Sequence, residues 1–125
     1  MLALIVVVVI LVAAIAIYMR PVEDPDIIFF YSTTCPACVA FKPVWDDTEP
    51  VLRKKGYKIA LAETGKADAL FEKYHVEAVP TIIFLQKSAD GKVVANAYAG
   101  ARTKGDIVSA AEAVIKNGMQ IQGSA

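Results

Sequence analysis

Cysteine and histidine are scarce in this chain: two of the first and one of the second in 125 residues. A zinc site needs about four ligands. Cys35, Cys38 and the distant His75 do not supply them, so no metal is expected. Charge of one sign is missing too, since 13 Lys and Arg balance 13 Asp and Glu. Without a basic stripe or a set of base-stacking aromatics, nucleic acid is excluded as a partner. No internal repeat or low-complexity tract is present, so the length corresponds to one domain plus an appendage.

Apolar residues are in excess, at 56% of the total. Much of the surplus lies in residues 2–19, 18 positions without a charge and rich in Val, Ile, Leu and Ala. As a helix this run reaches roughly 27 Å, against a hydrocarbon core of about 30 Å. Its β-branched content is no obstacle, because a helix is the one way a single segment satisfies its own backbone in lipid. The reading is a transmembrane anchor over residues 1–20, with Tyr18 and Arg20 at the interface. A cleaved signal peptide competes, because Ala14-Ile15-Ala16 resembles a small-x-small cleavage site. Against it, no Lys or Arg precedes the run, and the run is long for a signal core. The α-amino group and Arg20 nearly balance across the segment, which leaves orientation open. The expected location is a membrane, with the domain leaning to an extracytoplasmic side, periplasm or lumen.

After the anchor, residues 21–25 read as a short acidic linker, 26–118 as a folded domain and 119–125 as a tail. Residues 26–31 are a nearly continuous apolar run, which suits a central strand covered on both faces. A helix follows from 36 to about 47, kinked by Pro43, with Pro50 breaking or restarting it. Further strands are expected at 57–62, 81–86 and 92–98, the last two joined by a turn at 88–91. Helices are expected at 66–74 and at 106–117, where Gly118 is the stop. This order predicts an α/β fold, a mixed four-stranded sheet flanked by helices.

The two cysteines sit in Cys35-Pro36-Ala37-Cys38, between the apolar strand and the first helix. Helix-terminal amides lack partners and carry partial positive charge, which stabilises a thiolate below its free pKa of about 8.5. Cys35 fits the N-cap and Pro36 fits N1, where a missing N–H costs nothing. Cys38 then lies one turn in, close enough for a disulfide. A purely structural bridge is the weaker reading, because so short a loop constrains the unfolded chain little. Trp45, the single tryptophan, reads as core, and His75 as a structural residue at a helix end.

Four segments in order resemble the thioredoxin superfamily, over residues 26–116. They are Cys35-Pro36-Ala37-Cys38 after an apolar strand, the helix proline Pro43, the stretch from Tyr74 through Val79-Pro80-Thr81, and the stretch from Ala99-Gly100 to Ile107. The resemblance implies a thioredoxin-like fold in which Pro80 is cis and lies against the cysteine pair. It implies that the backbone of Val79 pairs with an extended substrate peptide, as an added strand does. Gly100 would let that peptide approach. Departures are also visible. Thr34 stands where thioredoxins carry Trp, and Pro36-Ala37 replaces Gly-Pro. Phe29 occupies the position of a buried Asp that assists the second cysteine. Asp26 is on the opposite face of the strand, so water or Glu63 is left to activate Cys38.

Two functions are expected from this. The first is a membrane-tethered thiol–disulfide oxidoreductase. Cys35 is its nucleophile and Cys38 its resolving thiol, Val79, Pro80 and Gly100 bind substrate, and Pro36, Ala37 and Pro43 support the motif. It needs no cofactor beyond the Cys35–Cys38 disulfide itself. Its partners are protein disulfides or dithiols, a reductase or oxidant, the lipid bilayer and other membrane proteins. The alternative is a non-enzymatic thioredoxin-like subunit of a membrane complex or membrane-containing particle.

Overall fold

The computed structural model describes residues 1–19, 24–88 and 90–116. The sheet is organised on β1, Ile27–Tyr31. All five residues are β-branched or aromatic, and the first four are buried, as a central strand requires. β1 runs parallel to β2, Ile59–Glu63, with Phe29 opposite Leu61. A parallel neighbour needs a crossover, and α2, Pro36–Lys54, provides it. On its other side β1 pairs antiparallel with β3, Thr81–Lys87, which pairs antiparallel with β4, Val93–Ala97. The strand order is β2-β1-β3-β4. Gly91, at φ +84°, takes the left-handed conformation in the β3–β4 turn, where a side chain would be strained.

Strand alternation sends β1 to two cores. Ile27 and Phe29 join Ile82 and Phe84 against α2 and α4, Lys104–Ala111. Ile28 and Phe30 join Ile83, Leu85 and Ala62 on the face that carries α3, Asp68–Lys73. Phe30 meets Phe71 edge-on at 4.9 Å. The expected mixed sheet with helices on both faces is therefore present.

Three expectations on element limits are corrected. α2 does not break at Pro50 but runs through Pro43 and Pro50 to Lys54. Its buried residues Cys38, Phe41, Trp45, Thr48 and Leu52 follow helical spacing across both prolines. Packing of that stripe outweighs an interior proline's cost of about 3 kcal/mol. α4 starts earlier than expected, because Thr103 caps it and accepts a hydrogen bond from the Asp106 amide at 3.3 Å. It passes at Glu112–Lys116 into a π-helical turn, which keeps Val114 buried. The stop at Gly118 and the tail 119–125 lie outside the described residues.

The third correction concerns the N-terminus. The apolar run is helical, as α1, Leu2–Tyr18, but it ends one residue before the run does. Met19 leaves helical geometry at φ −94°, ψ 13°. Among the described residues no helix is long and apolar enough to cross a membrane. The spanning anchor over residues 1–20 is thus not what the structure contains, and Arg20 and linker residues 21–23 lie outside the described residues. α1 has no buried residue.

Candidate active site

β1 ends at Tyr31, and the chain turns through Ser32, Thr33 and Thr34 before α2 begins. The Thr34 amide donates to Ser32 Oγ at 3.3 Å, which closes the turn locally. Cys35 is the N-cap of α2, in extended conformation at φ −76°, ψ 123°, and Pro36 is at N1. Ala37 is exposed, as is Pro43 further along the helix. Both cysteines are free thiols.

The two sulfurs have different surroundings. Cys35 is half-exposed, and its thiol donates to the Val79 carbonyl across 3.8 Å. Cys38 is buried on the inner face of α2, where its sulfur accepts from the Ser32 amide at 3.4 Å. No capping hydrogen bond is closed by the Cys35 side chain. The Cys38 amide at the helix N-terminus is nevertheless the main influence that holds the Cys35 thiol below its ordinary range. Burial opposes it, while the Cys38 thiol, the Ala37 amide and the Arg102 guanidinium add to it. Burial pushes the Cys38 thiol up; the Ser32 amide opposes this and the neighbouring Cys35 sulfur adds to it.

This asymmetry has a direct test. A thiol with a lowered pKa has more thiolate at neutral pH, and thiolate is the species that alkylates. Iodoacetamide at pH 7 is expected to label Cys35 about tenfold faster than Cys38 or more, with a rate midpoint below the free value. Peptide mass mapping reads the site; equal labelling of the two would overturn the assignment of roles.

Across the gap from Cys35, the Val79–Pro80 bond is cis, as the resemblance implies. Pro80 and Gly100 line a cavity of about 130 Å³ with Phe41, Ile82, Tyr98 and Arg102. Gly100 has a packing role of its own. A Cβ there would stand 2.6 Å from the Tyr98 hydroxyl and 2.8 Å from its ring carbon Cζ. Tyr98 is itself held by donating to the Ala101 carbonyl at 2.5 Å. Gly100 is therefore required by the ring beneath it.

Below Cys38 the position of the expected acid is filled by a ring, Phe29. Phe29 stacks on Trp45 at 4.4 Å and on Tyr31 at 5.4 Å. A second cavity, about 290 Å³, is lined there by Phe29, Cys38, Trp45 and Leu61, and also by Asp46 and Glu49, which are ion-paired with Lys42 and Arg53. Glu63, the expected alternative base, is in an ion pair with Lys66 at 2.8 Å. The groups acting on Cys38 are Ser32, Cys35 and Arg102 instead. His75 is exposed beyond α3, at φ +52°. Among the described residues no group of three or more His, Cys, Asp or Glu could hold a metal.

Sequence reasoning missed Arg102. Its charge favours the thiolate at both sulfurs, as the weakest of the influences on each, yet nothing in its local sequence marks it. The β4–α4 connection brings it to the rim of the site.

The fold recurs in solved structures. The first thioredoxin domain of mouse Protein disulfide-isomerase A4 superposes with a TM-score of 0.60 at 27% identity, over 82% of this chain and 71% of that one. A thioredoxin from Thermus thermophilus gives 0.57 at 24% identity, over 70% and 71%. The J-Trx1 fragment of ERdj5 gives 0.60 at 23% identity over 72% of this chain, which spans only 42% of that fragment. No curated protein sequence matches the chain. The family model described as Thioredoxin matches residues 11–113, from within α1 to the π-helical turn. With that match running over most of its length, the chain belongs to the thioredoxin family.

Proposed function

We propose that the chain is a thiol–disulfide oxidoreductase acting on protein disulfides or dithiols. The observation that carries this reading is the unequal pair at the start of α2. One sulfur is reachable and favoured as thiolate; the other is buried and protonated. In the reducing direction, the Cys35 thiolate attacks one sulfur of a substrate disulfide and displaces the other as a thiolate. Cys38 then loses its proton to solvent and attacks the Cys35 sulfur. The substrate leaves as its second thiolate, and two electrons have passed from the pair, now a disulfide, to the substrate. The reverse sequence oxidises a dithiol. The electrons reside in the pair itself, so the cycle needs a partner reductase or oxidant and no organic cofactor or metal.

Val79, Pro80 and Gly100 form the edge on which we place an extended substrate peptide. Support comes from the Val79 carbonyl facing Cys35 and from the cavity beside Pro80. We further propose that α1 holds the domain at a lipid bilayer, on the extracytoplasmic side. A helix that is apolar all round needs an apolar cover, and every residue of α1 is exposed.

A second reading, an interaction subunit without turnover, is favoured by one observation: among the described residues no carboxylate is hydrogen-bonded to the buried Cys38 sulfur, which accepts from the Ser32 amide. Equilibration of the reduced chain with glutathione separates the two. A potential near −270 mV points to a reductase, and one near −120 to −180 mV to an oxidant or isomerase. Absence of any exchange would overturn the oxidoreductase reading and leave the subunit.

A further inference from the structure

A cation stands on the rim of the peptide edge, with no carboxylate partner among the described residues. Arg102 is exposed, and among the described residues it is in no ion pair. Asp106, a carboxylate close to it in the chain, is already bonded to the Thr103 hydroxyl at the start of α4. The cavity that Arg102 lines is about 130 Å³. At about 30 Å³ per water, that is room for about four water-sized groups, the bulk of a carboxylate on a short carbon stem. Part of its lining is apolar, from the buried Phe41 and Ile82. Pro80 and Gly100 line it as well, so it adjoins the residues that would hold substrate backbone.

We propose that this pocket selects an acidic residue beside the target cysteine of the substrate, with Arg102 binding its carboxylate. The inference rests on the oxidoreductase reading above. A guanidinium presents a planar fork that matches a carboxylate at two points. An aliphatic stem then packs on Phe41 and Ile82. A lysine at the same place would meet like charge and leave the pocket empty.

The test uses three peptides that differ only in the residue next to their cysteine: Glu, Gln or Lys. Each carries that cysteine as a mixed disulfide with a chromophoric thiol, whose release by the reduced full chain reports the first attack. At low salt the Glu peptide is expected to react about fivefold faster than the Gln peptide, and the Lys peptide slower than both. In Arg102→Gln the ratio of Glu to Gln is expected to fall to about one, and Arg102→Lys to restore part of it. Because each ratio is taken within one variant, a change in thiolate content cancels. Equal rates in the parent, or a Glu preference that survives Arg102→Gln, would overturn the proposal. If no peptide reacts, the oxidoreductase reading fails, and binding of the same peptides to the Cys35→Ser chain decides the pocket. A Glu preference there that Arg102→Gln removes supports the pocket; no preference overturns it.

Discussion

A Cys38→Ser chain given a protein disulfide is expected to stop at the mixed disulfide and accumulate as a covalent adduct through Cys35. Attack needs only the half-exposed Cys35 thiolate, which Cys38→Ser retains at the N-terminus of α2. Release needs a second sulfur one turn away, and serine's hydroxyl is no substitute as a nucleophile at neutral pH. A Cys35→Ser chain should form no adduct through that position, and its turnover should fall by roughly a thousandfold or more. Intact mass under non-reducing conditions reads the adduct, and reduction of a model protein disulfide reads turnover. Parent-like turnover in Cys35→Ser would exclude this mechanism. A Cys38→Ser chain that turns over without an adduct would show that Cys38 does not resolve.

Phe29→Ala is expected to lower unfolding free energy by about 3–5 kcal/mol. Phe29 is 5% exposed and touches three rings: Trp45 at 4.4 Å, Tyr31 at 5.4 Å and Phe41 at 5.6 Å. Truncation removes its transfer energy, opens a cavity and ends the ring contacts. Against a typical total of about 5–15 kcal/mol, that is a large fraction. Urea unfolding of the parent and variant checks it, as a lower midpoint at an unchanged slope. A loss below about 1 kcal/mol would mean that the face under α2 collapses freely around the gap. Phe29→Asp should cost at least as much, since it buries a carboxylate among apolar rings without a partner. The position that would hold an acid in related chains is here part of the core, and the activation of Cys38 has to be solved by other means.

Local features were legible in the sequence because their causes are local. The apolar run before Cys35 dictated a central strand, since only a position covered on both faces suits residues apolar at every place. The spacing of Cys35, Pro36 and Cys38 put one sulfur at the helix end and the other one turn in. Residues far apart in the chain were decided only by packing. The stripe from Cys38 to Leu52 carried α2 through Pro50, which propensity alone treats as a stop. Tyr98 made Gly100 a packing requirement, and Lys66 was brought into an ion pair with Glu63. Met19 ended α1 one residue inside the apolar run. Arg102 is the clearest case. Its sequence neighbours give it no distinction, and its place beside Pro80 exists only because β4 runs antiparallel to β3. Spacing acts within a turn or a strand, whereas a site of this kind is assembled by the sheet order, and sheet order is a property of the whole chain.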